Sequence, residues 1–144
     1  MADLVEPNLY LGNWDDARQA RTKGWDTLCV IETHPAEKYK GMTYYVPILE
    51  HDEFSMDMFP PLAIQSQLDK CSEIIDHYLS FKGGSPLLVH CYAGIERSPL
   101  TLAYWLVKTC RKADLNEAYA FLKSIRPIVE DRRLWLPASL ASSL

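Results

Sequence analysis

The residues best suited to chemistry lie in one nine-residue segment, HCYAGIERS, at positions 90–98. A deprotonated Cys91 would be a strong nucleophile. The planar guanidinium of Arg97 can form two parallel hydrogen bonds with two oxygens of a phosphate group. Ser98 can donate its hydroxyl proton to the cysteine sulfur. Together these residue types predict phosphoryl transfer in which Cys91 attacks phosphorus directly.

The flanking sequence predicts how this segment is positioned. Residues 86–89 (PLLV) form a wholly apolar run that is typical of a central strand buried on both faces. After the segment, LTLAYWLV predicts a buried helix with Pro99 in its first turn, where proline is favoured. The loop between strand and helix then directs backbone N–H groups and the positive end of the helix dipole into one concavity. Gly94 permits the conformation that such a curled loop needs, so we expect an anion-binding cradle that holds Cys91 as a thiolate.

The rest of the chain alternates between strand-like and helix-like segments. Further strands are predicted at residues 9–11, 25–31 and 42–49, and further helices from Asn13 to Gly24, over residues 62–81 and after Asp114. This alternation predicts an α/β fold with a central, mostly parallel sheet of about four to five strands flanked by helices. Ligands of such sheets bind beyond the carboxyl ends of the strands, which is where HCYAGIERS falls.

Composition excludes several classes of protein. The 144 residues are 48% hydrophobic and 24% charged, which fits a single domain over residues 1–144. A net charge of −4 disfavours nucleic-acid binding, and no apolar run is long enough to span a membrane. The N-terminus lacks the basic head of a signal peptide, and the four cysteines form no CxxC pair. We expect a cytoplasmic monomer that uses no metal or other cofactor and binds neither nucleic acid nor membrane.

HCYAGIERS has the form H-C-x-x-G-x-x-R-S, which resembles the signature of the cysteine-dependent protein tyrosine phosphatases. The flanking segments NLYLGN, YYVPILEHD, LLVHC and IRPIVEDRRLWL look most like the dual-specificity branch of that family. The resemblance therefore spans nearly the whole chain. It implies a protein tyrosine phosphatase-like fold and a phosphoprotein substrate. It also implies hydrolysis of phosphotyrosine, and of phosphoserine or phosphothreonine, through a phosphocysteine intermediate.

The resemblance also implies a role for each residue of the loop. Cys91 would be the nucleophile, Arg97 would bind the phosphoryl group, and Ser98 would help the thiolate to leave. His90 would orient the loop and help to keep the cysteine ionised. The phosphate-binding cradle would consist of the backbone N–H groups of six consecutive residues: Tyr92, Ala93, Gly94, Ile95, Glu96 and Arg97.

Three positions depart from the family pattern. Glu130 replaces the usual proline. Asp131 stands where the family usually has asparagine; an aspartate can accept hydrogen bonds in support of the loop but cannot donate as an amide does. Glu96 occupies a loop position that is often small or neutral. We expect its side chain either to point to solvent or to pair with a lysine or arginine. An acid beside the phosphate pocket also disfavours inositol-lipid substrates.

The leaving group needs a proton from a carboxylic acid. Alignment of YYVPILEHD with the family places Asp52 in this role, as general acid and then general base. The spacing between Asp52 and Cys91 looks longer than usual for the family, so Asp57 is a rival for the same role.

Three other functions fit parts of the sequence. A phosphopeptide-binding module without catalysis could use the same cradle, although Cys91, Arg97 and a plausible acid are all present. A phosphatase of a small non-protein phosphoester is also open, whereas Glu96 and the acidic composition disfavour RNA and lipids. A redox enzyme would lack the second cysteine of a CxxC pair. A protein phosphatase is therefore the leading prediction.

Overall fold

The computed structural model describes residues 2–31, 44–48, 62–82 and 84–144. The strands are β1 (Asp3–Glu6), β2 (Leu9–Gly12), β3 (Asp26–Cys29), β4 (Tyr44–Tyr45) and β5 (Leu87–His90). The helices are α1 (Trp14–Thr22), α2 (Leu62–Phe81), α3 (Arg97–Lys108), α4 (Leu115–Ile125) and α5 (Ala138–Ser143), with a 3₁₀ helix at Arg133–Trp135. No helix within the described ranges is both long and apolar enough to cross a membrane.

The strands form one five-stranded sheet in the order β1-β2-β5-β3-β4. β5 is central and pairs in parallel with β2 and β3, and β3 pairs in parallel with β4. Among the strands of the described residues, only the edge pair β1–β2 is antiparallel. At the carboxyl end of β5, His90 lies opposite Gly12 on one side and Cys29 on the other. The predicted mostly parallel sheet is confirmed, and β1 is an addition that the sequence analysis did not identify.

The two faces of β5 are buried by different helices, because successive side chains of a strand point to opposite sides. Leu88 packs with Ala17 and Ala20 of α1 on one face. Leu87 and Val89 join the larger core on the other face, which includes α2, α3 and α4. The small alanine side chains of α1 allow this helix to lie close to the sheet. The prediction of a strand buried on both faces is confirmed.

The helix boundaries follow the signals in the sequence. Asn13 and Asp16 form a reciprocal capping box at the start of α1: Asp16 N–H donates to Asn13 Oδ1 over 2.8 Å, and Asn13 N–H donates to Asp16 Oδ2 over 3.0 Å. Asp114 caps α4 by accepting from Glu117 N–H over 2.9 Å. α2 has the predicted bounds. In α3 every residue from Ser98 to Leu106 is buried, as the apolar sequence predicted.

The segment after β3 brings a backbone carbonyl to the end of the sheet. The structure describes residues 44–48 of the strand predicted at 42–49. Among these, Tyr44–Tyr45 form β4, and Val46–Ile48 continue beside β3 without regular strand pairing. Val46 N–H donates to the Cys29 carbonyl over 3.0 Å, and Ile48 N–H donates to the Val30 carbonyl over 3.3 Å. Ile48 therefore lies next to the carboxyl end of the central strands.

Candidate active site

Cys91 lies directly after β5, and its side chain is almost fully buried, at 4% exposure. Its sulfur is 3.1 Å from Ser98 Oγ and accepts a hydrogen bond from Gly94 N–H over 3.2 Å. Ser98 is the second residue of α3, so the sulfur lies at the N-terminal end of this helix. The Gly94 N–H therefore donates to the sulfur, and the Ser98 hydroxyl is close enough to exchange a hydrogen bond with it.

The loop after Cys91 is held in place through its carbonyl groups. At the start of α1, Trp14 N–H donates to the Tyr92 carbonyl over 3.0 Å. On the opposite side of the loop, Glu130 N–H donates to the Ile95 carbonyl over 2.9 Å. These two bonds join the loop to segments that are distant in sequence.

The buried side chain of Arg126, at the end of α4, binds the carbonyls of Ala93 and Gly94, which lie between Tyr92 and Ile95. Its Nη2 donates to the Ala93 carbonyl over 3.2 Å and its Nε to the Gly94 carbonyl over 3.0 Å. Its Nη1 donates to Asp3 Oδ2 over 2.9 Å, which supplies the opposite charge that a buried guanidinium requires. Arg126 therefore positions the loop without belonging to it.

This anchoring fixes the direction of the loop's N–H groups. In a trans peptide unit the N–H points away from the preceding C=O. Because the carbonyls of residues 92–95 are bonded outward, the N–H groups of residues 93–96 face the opposite, inner side. The Gly94 N–H, which reaches the Cys91 sulfur, shows this direction. The backbone is therefore arranged to bind an anion above the sulfur.

Gly94 is required at this turn for two reasons. Its φ of +71° lies in the left-handed region that other residues rarely adopt. A Cβ atom at this position would also lie 2.7 Å from Arg126 Nη2 and 2.8 Å from the Gly12 carbonyl oxygen. The same position thus provides the turn and leaves room for the arginine that holds the loop.

Arg97 begins α3, and two contacts fix its side chain at the site. Its Nε donates to the Ile48 carbonyl over 2.8 Å. Its guanidinium carbon lies 5.0 Å from the ring centre of Trp135, a buried indole that provides a cation–π contact. The sequence analysis predicted Arg97 but neither of these two partners.

His90 is fully buried behind the loop, and its Nδ1 lies 3.4 Å from the Cys91 carbonyl oxygen. Burial lowers the pKa of His90 to about 4, and the nearby charge of Arg21 acts in the same direction. The imidazole is therefore neutral at pH 7 and can donate its single proton from Nδ1 to this carbonyl. This geometry favours the predicted orienting role. A neutral ring provides no positive charge to keep the cysteine ionised.

Glu96 and Asp131, which depart from the family pattern, both pair with arginine side chains. Glu96 Oε2 accepts from Arg132 Nε over 2.9 Å, so the expectation that Glu96 pairs with a basic residue is confirmed. Asp131 accepts from the backbone N–H of Arg133 over 2.9 Å and from its Nε over 2.8 Å. In the described part of the chain, this segment reaches the loop through the Glu130 N–H and the Arg132 side chain, and not through the Asp131 carboxylate.

Both candidates for the general acid, Asp52 and Asp57, lie outside the described residues. Within those ranges, no group of three histidine, cysteine, aspartate or glutamate side chains is placed to hold a metal ion. The described part of the candidate site thus consists of Cys91, the loop that follows it and Arg97.

Comparison with known proteins agrees with this geometry. Residues 9–136 match the family described as "Dual specificity phosphatase, catalytic domain". The chain is 30% identical over 126 residues to a putative tyrosine phosphatase, 123R, of Invertebrate iridescent virus 6, covering 88% of this chain and 80% of that protein. It is 32% identical over 128 residues to dual specificity protein phosphatase 15 of Mus musculus, covering 86% of this chain but only 50% of the mouse protein.

The crystal structure of human DUSP28 has a similar fold, with a TM-score of 0.69 at 20% identity, covering 93% of this chain and 88% of that one. This similarity confirms the predicted α/β fold of the protein tyrosine phosphatase type.

Removal of the Arg126 guanidinium should loosen the loop. We expect Arg126→Met to lower the free energy of unfolding by about 3 kcal/mol, because two loop carbonyls and Asp3 lose a buried donor. Turnover of an aryl phosphate should fall by about 10²-fold, since a displacement of about 1 Å near a catalytic group is enough for such a loss. Urea unfolding and steady-state kinetics measure the two effects.

The matched control is Lys123→Met, because Lys123 is an exposed cation on the same helix, α4. It should change the free energy of unfolding by less than about 0.5 kcal/mol. An Arg126→Met variant with stability and turnover close to wild type would show that the arginine does not hold the loop.

Because His90 is buried in its neutral form, the free energy of unfolding should fall in mild acid. The unfolded chain binds a proton at His90 as the pH falls below about 6.5, whereas the folded chain does so only near a pKa of about 4. This contribution to stability is complete above pH 6.5 and is lost as the pH falls toward 4. Between pH 7 and pH 5 it amounts to about 2 kcal/mol in the free energy of unfolding.

Urea unfolding of wild type and His90→Gln at pH 7 and pH 5 measures this contribution. The loss of stability on acidification should be smaller in His90→Gln by about that amount. It should be unchanged in the control His77→Gln, since His77 is exposed on α2. Equal pH dependence in wild type and His90→Gln would contradict the burial of a neutral imidazole.

Proposed function

We propose that this chain, which belongs to the dual specificity phosphatase family, hydrolyses phosphotyrosine and phosphoserine or phosphothreonine on proteins through a phosphocysteine on Cys91. The match over residues 9–136 gives it the catalytic domain of a protein phosphatase. The observation that carries the covalent mechanism is the position of the Cys91 sulfur. It is buried at the end of β5, with Ser98 Oγ at 3.1 Å and Gly94 N at 3.2 Å.

In the proposed first step, the Cys91 thiolate attacks phosphorus in line with the ester oxygen. A sulfur–phosphorus bond forms as the phosphorus–oxygen bond breaks, and the leaving oxygen takes a proton from the Asp52 carboxyl group. The N–H groups of the loop and the Arg97 guanidinium bind the three equatorial oxygens, whose charge they stabilise in the transition state.

In the second step, water attacks the phosphocysteine. The Asp52 carboxylate takes a proton from this water, the sulfur–phosphorus bond breaks, and inorganic phosphate is released. The Ser98 hydroxyl donates a hydrogen bond to the departing sulfur, for which the distance of 3.1 Å is suitable. The cysteine returns to the thiolate form and the cycle can begin again.

The choice of protein substrates is supported by the relatives and by the charge at the loop. The chain spans half the length of the mouse relative, so the substrates of the whole protein form part of the proposal. The Glu96–Arg132 pair places an acid and a base together at the cradle. Because the Glu96 carboxylate offsets the charge of Arg132, this pair adds little attraction for a polyphosphorylated lipid.

We also propose that the protein acts in the cytoplasm. Its four cysteines are all free, as is usual in a reducing compartment. The sequence also predicts one domain over residues 1–144, a monomeric state, and action without a cofactor, nucleic acid or membrane. These points stay predictions.

Replacement of the nucleophile tests the mechanism. We expect Cys91→Ser to lower turnover of aryl phosphates and phosphopeptides by at least about 10³-fold, because a serine hydroxyl at this position is a far weaker nucleophile. Binding of inorganic phosphate should persist, since the cradle does not depend on the sulfur. Acid quenching of wild type during turnover should trap phosphate on the peptide that contains Cys91.

The exposed Cys110 provides the control, and Cys110→Ser should retain wild-type turnover. Appreciable hydrolysis by Cys91→Ser would contradict the covalent mechanism. Phosphopeptide binding by wild type without any turnover would instead favour a non-catalytic binding module.

The general acid is tested by a pair of variants. We expect Asp52→Asn to lower kcat for phosphopeptides by about 10²–10³-fold, because the leaving oxygen loses its proton donor. The loss should be smaller for substrates with acidic phenol leaving groups, which depart without protonation. The fall of kcat/KM on the basic side should also disappear in this variant.

Asp57→Asn is the matched control and should be close to wild type in all three measurements. The reverse result, with Asp57→Asn impaired and Asp52→Asn active, would assign the role to Asp57.

A further inference from the structure

A cavity of about 460 Å³ lies beside the catalytic loop and is lined by Trp14, Arg18, Arg21 and Tyr92. Sites for small ligands and side chains commonly have volumes of about 300–1,000 Å³. Trp14, Arg18 and Arg21 are spaced at i, i+4 and i+7, so they share one face of α1. The fourth residue, Tyr92, belongs to the loop and directly follows Cys91.

Two contacts between Trp14 and Tyr92 join the lining of the cavity to the loop. Trp14 N–H donates to the Tyr92 carbonyl over 3.0 Å, and the two aromatic rings are 6.2 Å apart. The Tyr92 side chain is 74% exposed, so one wall of the cavity faces solvent. Consecutive Cα atoms are about 3.8 Å apart, and an extended peptide advances about 3.3 Å per residue. A substrate whose phosphate is at Cys91 can therefore place a side chain one to three positions away in this cavity.

The lining combines positive charge with aromatic surface. Guanidinium groups bind carboxylates and phosphates through paired hydrogen bonds. Arg18 is 65% exposed and lies 3.6 Å from Asp15, which is also exposed, and such surface pairs are weak enough to exchange for a ligand. Arg21 lies deeper, where its charge acts on His90 behind the loop. Asp16, on the same helix, is buried, and its carboxylate accepts from Asn13 N–H in the capping box.

We infer that this cavity is a substrate subsite for an anionic side chain next to the phosphorylated residue. The inference rests on the proposed phosphatase function and adds a determinant of substrate selection. Because the net charge of −4 gives no general attraction for acidic substrates, selectivity for them requires a local group of cations. The carboxylate of aspartate or glutamate and a second phosphate group share the chemistry that this site recognises.

Three phosphotyrosine peptides that differ only in the flanking residues test the inference. One has glutamine at these positions, one has glutamate, and one has a second phosphotyrosine. The readout is the ratio of kcat/KM for each anionic peptide to that for the glutamine peptide, so a general change of activity cancels. For wild type we expect a ratio of about 3 to 10, carried by KM, from one or two exposed ion pairs. The ratio should fall as the salt concentration rises.

Variants of Arg18 localise the effect. Arg18→Gln should lower the ratio toward one. Arg18→Glu should reverse the preference, so that the glutamine peptide becomes the better substrate. The control Lys123→Gln removes an exposed cation from α4 and should keep the wild-type ratio. A preference for the glutamate peptide identifies acidic flanking residues as the ligand, whereas a preference confined to the second phosphotyrosine identifies a doubly phosphorylated substrate.

Equal kcat/KM for all three peptides in wild type, or an unchanged ratio in Arg18→Glu, would overturn the subsite inference. Turnover of an aryl phosphate by wild type in the same experiment shows that the proposed function stands independently. Absence of turnover with every phosphate ester would overturn the function and the subsite together.

Discussion

The loop after Cys91 depends on hydrogen bonds that hold its carbonyl groups outward, away from the Cys91 sulfur. The carbonyls of residues 92–95 accept from Trp14, Arg126 and Glu130. At the ends of the loop, the Cys91 carbonyl lies 3.4 Å from His90 Nδ1, and the Glu96 carbonyl accepts from Leu100 N–H over 3.1 Å. Six consecutive peptide units are therefore oriented in the same sense. A single inverted unit would present a carbonyl dipole to the phosphate, which would repel it.

The fold places these hydrogen-bond donors around the loop. Small residues on α1 bring this helix close to β5, so that its first N–H meets the loop. The end of α4 brings Arg126 to the other side, where the side chain is only 8% exposed. A charge so deeply buried needs an opposite charge, and Asp3 on the edge strand β1 supplies it at 2.9 Å. The edge strand, remote from the chemistry in sequence, thus contributes to the shape of the cradle.

Local sequence predicted the parts of the structure that local interactions determine. The capping box at Asn13 and Asp16, the bounds of α2 and the strand–loop–helix around HCYAGIERS all depend on residues close together in the chain. The strand β1 was missed because its sequence, DLVE, has a single buried residue, Val5, and pairs only at the sheet edge. Such a short segment has too little apolar periodicity to predict a strand.

The sequence could not predict the side-chain contacts that span the chain. Arg126 follows a helix that ends at Ile125, where a cation usually interacts with the helix dipole in solvent. Nothing in its local sequence indicates two loop carbonyls 32 and 33 residues away. The contact between Trp135 and Arg97 also joins residues that are far apart in the chain. The neutral state of His90 depends on complete burial, which only the packed structure shows.

The direction of the loop's N–H groups is the central claim, and NMR spectroscopy tests it most directly. Inorganic phosphate is titrated into the ¹⁵N-labelled wild-type protein while the amide proton shifts are followed. The account predicts that the amide protons of residues 92–97 move downfield together, as donors to the bound anion, and exchange more slowly with solvent. Phosphate binding that shifts amide protons elsewhere and leaves those of residues 92–97 unchanged would contradict it.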